Sequence, residues 1–420
     1  MALSTTSASE SMQQEQSAQQ SNKPKQPQHK HDRLITRDMA LVMLATFCFM
    51  SSNMLANPIV AGYAESLGAS GMLMGVVAGS MSFISLFCRP IAGNLSDRTS
   101  KRTLVVAGTV LYFAAGLLYY FAGSPIMLIM ARVINGVGFA CCSVCLATWM
   151  SLLLPIRHMG AGMGLYGTMN ALAMAVGPAF GIRAQKYIGY RLTFLSSLVL
   201  AAIMLIATLM VKNGGQPVRK KQTSISATKK HRFSIRSILE PRVVPLSLTF
   251  MMFAIAYFAN QSFIVSYVQS RHLPVSSDLF FMFYAVALLV LRLGLRDLFD
   301  SKGFRFWLTV CSLGMLAMLA CMTFLFNDWM LLLAAFFTAV GYGLMSSVTQ
   351  AQAVVIAGRE RSGIANSTYY AGIDLGMSVG PFVGGLVYGR LPVVWFYPVF
   401  MLTVPVAWLI YWLCVRRVSR

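Results

Sequence analysis

The chain has 420 residues, of which 57% are hydrophobic and 11% are charged, and its mean hydropathy is +0.65. These values exclude an ordinary soluble enzyme and indicate an integral membrane protein. The net charge is +21, but the basic residues lie in short breaks between apolar runs, a pattern that argues against nucleic-acid binding.

The chain carries no recognisable catalytic or metal-binding pattern. Cys142 and Cys145 have C-x-x-C spacing, but they lie in an apolar run without a nearby His or carboxylate. The other six cysteines also lie in or at the ends of apolar runs, where a thiol is a small hydrophobic group. We therefore predict no metal, no cofactor and no enzymatic activity.

Residues 1–37 are rich in Gln, Ser and Lys, and we predict a disordered cytoplasmic tail. Apolar runs of about the 20 residues needed to cross a bilayer follow. Because backbone groups in hydrocarbon must be paired and no run alternates like a barrel strand, we predict helices throughout. The twelve predicted spans are 39–62, 70–92, 103–122, 126–150, 161–183, 191–211, 242–268, 278–295, 306–326, 328–352, 363–388 and 392–415.

The predicted spans divide into two groups of six. Residues 38–211 form an N-terminal bundle, 212–241 a basic cytoplasmic linker, 242–415 a C-terminal bundle and 416–420 a second cytoplasmic tail. Positive charge is concentrated in the linker and in every second loop. By the positive-inside rule, both termini are predicted to be cytoplasmic.

The two halves are related by duplication. A constant offset of 203 residues superimposes charged and Gly-Pro positions of one half on those of the other. The fold class predicted is therefore an all-α membrane protein built from two pseudo-symmetric six-helix bundles. The superimposed pairs are Arg89 and Arg292, Asp97 and Asp300, Asn57 and Asn260, Gly177 and Gly380, Pro178 and Pro381, and Gly181 and Gly384.

Three segments resemble motifs of the major facilitator superfamily. Residues 93–102 (GNLSDRTSKR) resemble motif A, with Ser100 in place of a Gly, and residues 132–138 (RVINGVG) resemble motif B, with Asn135 in place of a Gln. Residues 376–385 (GMSVGPFVGG) in span eleven fit the Gly-Pro pattern of the antiporter branch completely, but that branch has the pattern in span five, where residues 173–182 keep only its Gly-Pro-x-x-Gly part. The resemblance covers roughly residues 36–415. It implies a secondary transporter similar to the bacterial drug and metabolite efflux proteins.

The resemblance to motif A implies a cytoplasmic gate, in which charge pairs hold the two halves together in one of two states. The gating residues predicted in this way are Arg89, Gly93, Asp97, Arg98 and Arg102.

Asp374 and Arg132 are the ionisable residues placed deepest in predicted spans. Such a residue costs at least about 2.5–3.5 kcal/mol at the bilayer centre, so it usually faces a cavity or a partner. Loss of hydration disfavours a charged carboxylate, which makes Asp374 the candidate for proton coupling, with Glu65 second. Motif B implies that Arg132 tunes a proton site or holds an anionic substrate. Purely structural roles remain open for Asp374, hydrogen-bonded at a helix interface, and for Arg132, bonded to backbone carbonyls.

Polar side chains on spans one, four and seven are predicted to line a substrate cavity near the midplane, with ordinary interhelical hydrogen bonding as the alternative. They are Asn53, Asn57, Asn135, Tyr257, Asn260 and Gln261. Glycines four residues apart in spans two and eleven are predicted to form a sliding surface between the halves, with static packing as the alternative. The predicted helix-interface residues are Gly177, Pro178, Gly181, Gly372, Gly376, Gly380, Pro381 and Gly384.

We therefore predict a monomeric transporter of the cell membrane that exports a small organic molecule by proton antiport, with the two halves rocking around a central site. Its expected partners are the small-molecule substrate, protons and the lipid bilayer. One alternative is a proton symporter for uptake of a metabolite. A second is a membrane receptor or scaffold that does not transport.

Overall fold

The computed structural model describes residues 36–154, 159–216, 239–295, 298, 302–358 and 362–415. Every regular element in this described part is helical, as predicted. The predicted tails, apart from residues 36 and 37, and most of the linker lie outside the described residues.

The N-terminal half begins with four separate helices and ends with one long helical stretch. Gly189, with φ of 76°, breaks that stretch, so the fifth and sixth predicted spans follow each other without the loop expected between them. We name the parts before and after Gly189 α5 and α6. The helices are α1 (Arg37–Ser66), α2 (Gly71–Arg98), α3 (Lys101–Phe121), α4 (Pro125–Leu153), and α5 and α6 (together Met159–Met210).

The C-terminal half has the same order of helices, with local departures from α-helical geometry in two of them. The tenth span contains a π-helical turn, Ala339–Leu344, and the last span contains short 3₁₀ and π turns. The helices are α7 (Val244–Ser270), α8 (Ser277–Gly294), α9 (Phe304–Thr323), α10 (Asp328–Thr338, Ala339–Leu344 and Met345–Ala357), α11 (Ser362–Arg390) and α12 (Val393–Trp395, Phe396–Met401, Thr403–Ile410 and Tyr411–Val415).

Length and hydropathy support membrane crossing. Ten helices within the described residues are long and apolar enough to span a bilayer. One of them, Leu165–Met210, has 46 residues and is broken at Gly189, which is enough for two crossings. With α8, an 18-residue apolar helix, the order of elements is consistent with twelve spans.

The duplication is visible in how individual helices begin. Ser124 is the N-cap of α4, and its hydroxyl accepts a hydrogen bond from the Met127 N–H at 3.4 Å. Asn327, at the same position of the second half, caps α10 by accepting from the Met330 N–H at 2.9 Å. Each cap satisfies an N–H that has no partner within the helix.

The helix packing repeats in the same way. Gly177 and Gly181 of α5 bring its backbone against α1, and Gly380 and Gly384 of α11 lie against α7. The halves meet where α1 contacts α7, where α2 contacts α11, and where the stretch containing α5 and α6 contacts α8. Because α1 and α7 are the most buried spans, they lie at the centre of the bundle.

We distinguish the two ends of the bundle by their connections. The α1–α2 side is the end where α1 finishes and α2 begins. The α2–α3 side is the opposite end, which carries the linker and which the charge pattern predicts to be cytoplasmic.

Candidate functional site

The site is built around an ion pair that joins the two halves. The Nε atom of Arg89 on α2 lies 2.8 Å from the Oδ2 atom of Asp374 on α11. The Asp374 side chain is 3% exposed and that of Arg89 is 24% exposed. Sequence analysis predicted the gating residue and the coupling residue separately, and the structure brings them together.

Two features place Arg89 at this position. Helices α2 and α11 run antiparallel between the two halves, so the end of α2 near the α2–α3 side lies beside the beginning of α11. The Arg89 guanidinium carbon also lies 5.4 Å from the centre of the Phe139 ring on α4. The ring face attracts the cation, so Arg89 is held by its own half while its charge reaches the other.

The other end of the α2–α11 contact is made by backbone atoms. A Cβ atom added at Gly75 would lie 2.5 Å from the Pro381 carbonyl oxygen, and one added at Gly71 would lie 2.5 Å from the Gly389 Cα. Gly385 lies against both Gly71 and Gly75. Only glycine allows two helices to approach this closely.

The predicted sliding surface is corrected by these contacts. The glycines of span two do face span eleven, but they meet Ser378, Pro381, Gly385 and Gly389. The ladder expected to oppose them faces α7 of its own half, where its neighbours are Ser247, Ala254, Ile255, Ala259 and Phe263. The reason is geometric, because residues one position apart lie about 100° apart around a helix. The four glycines of this ladder, which face α7 and not α2, are Gly372, Gly376, Gly380 and Gly384.

A polar contact accompanies the glycine contact on the α1–α2 side. The Tyr388 hydroxyl on α11 donates to Oε1 of Glu65 on α1 at 3.3 Å and makes a short hydrogen bond with the hydroxyl of Ser270 on α7. Glu65 is exposed. It therefore joins the halves at the surface of the bundle and does not replace Asp374 as a buried ionisable group.

Arg132 on α4 is buried and bonded within its own half. Its guanidinium donates to the carbonyl oxygens of Val77 at 3.2 Å and Ala78 at 2.7 Å, and to Oδ1 of Asn57 at 3.0 Å. This is the structural alternative considered for Arg132. Arg132 therefore holds α2 against α4 and α1. Among the described residues, it has no carboxylate partner.

The predicted cavity residues do not form one cluster. Asn57 and Gln261 both donate to the Met54 sulfur, at 3.9 and 3.8 Å, so they meet where α1 crosses α7. Asn260, the counterpart of Asn57, instead accepts from the Tyr397 hydroxyl at 2.9 Å.

Two further cavity candidates, Asn53 with both amide atoms and Asn135 with Oδ1, carry buried polar atoms without a hydrogen-bond partner among the described residues. Tyr257, the last candidate, lies beside Tyr284, with ring centroids 5.7 Å apart.

The remaining gating candidates divide into two groups. Arg102 donates to the carbonyl of Val211, and Ser100 donates to that of Gly214 at 2.7 Å. They tie the start of the linker to their own half, so Arg102 does not bridge the halves in this conformation. Arg98 is exposed, and among the described residues nothing beyond the helix's own backbone lies within 4 Å of a Cβ built on Gly93. The side chain of Asp97 lies outside the described residues, and its role stays a prediction.

Sequence reasoning missed several residues of these contacts. Gly385, Gly389 and Tyr388 lie outside the four-residue ladder, and Met54 carries no polar side chain that would draw attention. A cluster of stacked aromatic rings around Tyr342, within the π-helical turn of α10, was also missed. The 203-residue offset was the one signal available, because it places Tyr342 opposite Phe139.

A duplicated bundle of membrane-spanning helices, with ionisable and unpartnered polar groups between its halves, is the architecture of a secondary transporter. Comparisons with known protein families, relatives and solved structures agree with that class. A model of the major facilitator superfamily matches residues 42–328 and 303–420. The chain therefore belongs to the major facilitator superfamily, as its motifs predicted, and it is a multi-pass membrane transporter, not an enzyme.

Relatives cover most of the chain at low identity. An uncharacterized MFS-type transporter of Methanocaldococcus jannaschii is 24% identical over 360 residues, which are 82% of this chain and 90% of that protein. Multidrug resistance protein 2 of Bacillus subtilis is 19% identical over 338 residues, 79% of this chain and 84% of that protein. A solved POT family transporter in complex with a thioalcohol-conjugated peptide has a TM-score of 0.72 at 12% identity and covers 91% of this chain and 97% of that chain.

Proposed function

We propose that this transporter exports a small organic molecule in exchange for protons, and that Asp374 carries the proton. The observation that supports this proposal is the ion pair between Arg89 and Asp374, which crosses from one half to the other. When the halves separate on the α2–α3 side, the carboxylate loses its counterion in a low-dielectric setting. Taking up a proton is then favoured over remaining charged. Re-forming the pair displaces the proton.

The direction of transport, export, is the more specific part of the proposal. The Gly-Pro pattern of residues 376–385 fits the antiporter branch, and multidrug resistance protein 2 is a relative over most of the chain. In an alternating transporter, one carboxyl that binds either a proton or its Arg partner gives the two states different proton affinities. That difference lets a proton gradient drive substrate movement.

The direction is tested in vesicles of known orientation. Purified protein is reconstituted with a pH dye inside, and compounds from panels of drugs, amino-acid conjugates and sugars are added without a gradient. Antiport predicts that a transported compound moves protons in the opposite direction. Movement of protons with the compound instead supports the uptake symporter, and binding without any flux supports the receptor or scaffold.

Orientation in the cell is tested separately with cysteine labelling. In a background with Cys414→Ser, which removes an exposed thiol, we expect cysteines at Gly123 and Arg390 to react with an impermeant reagent from outside. A cysteine at Ser224, in the linker, is expected to react only after the membrane is opened. The reverse labelling contradicts the proposal that both termini are cytoplasmic.

A further inference from the structure

Basic residues are concentrated at one corner of the α1–α2 side, where α5 turns into α6. Arg183 and Lys186 lie near the end of α5, and Arg191 follows the break at Gly189. All three side chains are exposed. Because residues three apart are neighbours on a helix surface, Arg183 and Lys186 share one face of α5. We name Arg183, Lys186 and Arg191 the basic corner.

Among the described residues, the basic corner has no acidic partner within ion-pairing distance. The first half has one acidic residue on this side, Glu65, and its carboxylate accepts a hydrogen bond from Tyr388 of the other half. The segments outside the described residues are the two termini and connections between helix ends on the α2–α3 side. The α1–α2 side is therefore described completely, and the three charges there are available to an external anion.

Exposed apolar side chains run along both helices up to the basic corner. On each helix they recur at intervals of four residues, so each set lies along one side of its helix. The residues are Leu172, Val176 and Phe180 on α5, and Leu195 and Val199 on α6. The α5 set ends three residues before the basic corner and the α6 set begins four residues after it. In a membrane span, exposed apolar faces meet the lipid tails, so lipid leads directly to the three charges.

Aromatic residues determine how the corner is presented. Tyr190 stacks on Tyr63 of α1 with ring centroids 5.1 Å apart, and the Phe194 ring packs on the same ring at 5.6 Å. These contacts hold one face of α6 against α1 and leave Arg191 at the surface. Tyr187 on α5 is 74% exposed. An exposed tyrosine near the end of a span is typical of the level at which hydrocarbon meets the lipid headgroups.

The second half has a different corner at the equivalent place. The 203-residue offset places Leu386, Gly389 and Val394 opposite the three residues of the basic corner. The fold therefore forms this corner without basic residues at these positions. The positive-inside rule also disfavours such residues on a side predicted to be outside. Because neither the fold nor the topology accounts for the three charges, we attribute them to binding.

We propose that the basic corner binds the phosphate headgroup of an anionic phospholipid in the leaflet on the α1–α2 side. Arginine and lysine form charge-assisted hydrogen bonds with phosphate, and the apolar side chains of α5 and α6 contact the acyl chains. An anionic headgroup has a net negative charge that a zwitterionic headgroup lacks, so the basic corner selects the anionic lipid. This inference does not rest on the proposed function, because it involves neither Arg89 nor Asp374.

The lipid beside the corner is identified by fluorescence quenching. Full-length protein with Cys414→Ser and Ile188→Cys is labelled with a fluorophore and placed in nanodiscs of phosphatidylcholine. Ile188 is half-exposed and lies next to Tyr187 at the end of α5. The discs contain a small fraction of nitroxide-labelled phosphatidylglycerol or nitroxide-labelled phosphatidylcholine, and the signal of Cys414→Ser alone is subtracted. We expect phosphatidylglycerol to be favoured at this position by at least about fivefold.

Charge removal assigns the preference to the corner. The triple Gln variant of the basic corner is expected to be quenched equally by the two labelled lipids. Lys186→Gln alone should lower the preference by up to about fivefold. The matched control removes the same charge from the linker, on the opposite side, and should keep the preference of the wild type. It consists of Arg219→Gln, Lys220→Gln and Lys221→Gln.

A second fluorophore position tests whether the preference is local. Arg390→Cys, also in the Cys414→Ser background, places the fluorophore on the same side at the end of α11, outside the basic corner. We expect the two labelled lipids to quench it equally. The inference is overturned if this position reports the same preference as Ile188, if the wild-type corner shows none, or if the triple variant keeps it.

Inorganic phosphate separates a lipid headgroup from a free anion. The quenching at Ile188 is repeated in phosphate and in chloride of equal ionic strength, and we expect the same preference in both. If phosphate removes the preference and chloride does not, the corner takes free phosphate and the lipid assignment is wrong. If the triple variant does not fold, an unchanged preference in Lys186→Gln overturns the inference in its place.

Discussion

The two ends of the contact between α2 and α11 are built from different chemistry. On the α1–α2 side, Gly71 and Gly75 meet Gly385 and Gly389 through backbone atoms. Towards the α2–α3 side, Arg89 and Asp374 meet through charged side chains. One end therefore depends on shape alone, and the other depends on charge.

The proposed gating assigns one gate to each end of this pair of helices. A contact between glycine backbones is either closed or open, and it is insensitive to protonation. An ion pair inside the membrane is strong only while both partners are charged. In the proposed exchange, a proton on Asp374 weakens one end selectively, and this asymmetry couples the two states to a proton gradient.

The largest effect is expected from Asp374→Asn, which keeps the shape of the side chain and removes the charge. Proton-driven accumulation of substrate should be lost completely, because the residue can no longer exchange a proton for Arg89. Downhill exchange should persist, since the amide mimics the protonated state. The measurement is proton flux on addition of substrate to vesicles.

A double variant, Arg89→Gln with Asp374→Asn, serves as the control for the unpaired charge that the single variant leaves behind. If only the double variant keeps exchange activity, the loss in the single variant reflects a buried, unpaired Arg89. Substrate-linked proton flux at the wild-type ratio in either variant would show that Asp374 is a packing residue.

The second-largest effect is expected at the glycine end of the contact between α2 and α11. In Gly75→Ala the new Cβ collides with the Pro381 carbonyl, so the closed contact is destabilised by about 1–3 kcal/mol, or roughly 5- to 150-fold in population. The buried Ser266, next to Tyr388, becomes the reporter when replaced by cysteine in the Cys414→Ser background. We expect faster labelling of that cysteine from the α1–α2 side and slower transport.

Gly167→Ala is the matched control for this prediction. Gly167 is also a helical glycine in a span, but in the described part of the chain nothing outside its own helix backbone lies within 4 Å of a Cβ built there. If the two alanine variants label and transport alike, the close approach of α2 and α11 has no part in gating.

Much of the fold followed from the sequence because hydrocarbon imposes helices and because the chain is a duplication. The 203-residue offset related the Gly-Pro segments of α5 and α11, and the structure packs them equivalently against α1 and α7. The break at Gly189 was not predicted, because a single positive φ in one glycine replaces a loop without changing composition.

The site was predictable as a set of residues but not as a set of contacts. Arg89 and Asp374 were each expected to be functional, yet their pairing joins different halves. The duplication gives no partner for Asp374, since Ala171 occupies the equivalent position. The sequence shows that the glycines of the ladder recur every four residues, but it does not show which neighbouring helix they face. Gly385, one residue further along α11, faces α2, whereas Gly384 faces α7.

The third effect concerns Arg132, which bonds α2 at Val77 and Ala78, between the glycine contact and Arg89. Arg132→Gln removes charge-assisted bonds to Val77 and Ala78, and we expect a loss of stability of about 2–4 kcal/mol, measured by unfolding in detergent. Proton coupling in the folded fraction should be kept. If coupling is lost while stability is unchanged, Arg132 acts on the proton site and not on the position of α2.

The smallest effect is expected from Tyr388→Phe, on the glycine side of the comparison. The variant loses hydrogen bonds to Glu65, Ser270 and the Ser266 carbonyl but keeps the ring and the backbone contact beside it. Because these bonds are partly exposed, we expect each to contribute at the low end of about 0.5–1.5 kcal/mol, a change of a few-fold in the balance of states. The cysteine at Ser266 should therefore label a few-fold faster, well below the effect of Gly75→Ala, and Tyr388→Phe should keep its proton coupling. Equal effects of the two variants would mean that the polar contact closes this side and the glycines only permit it.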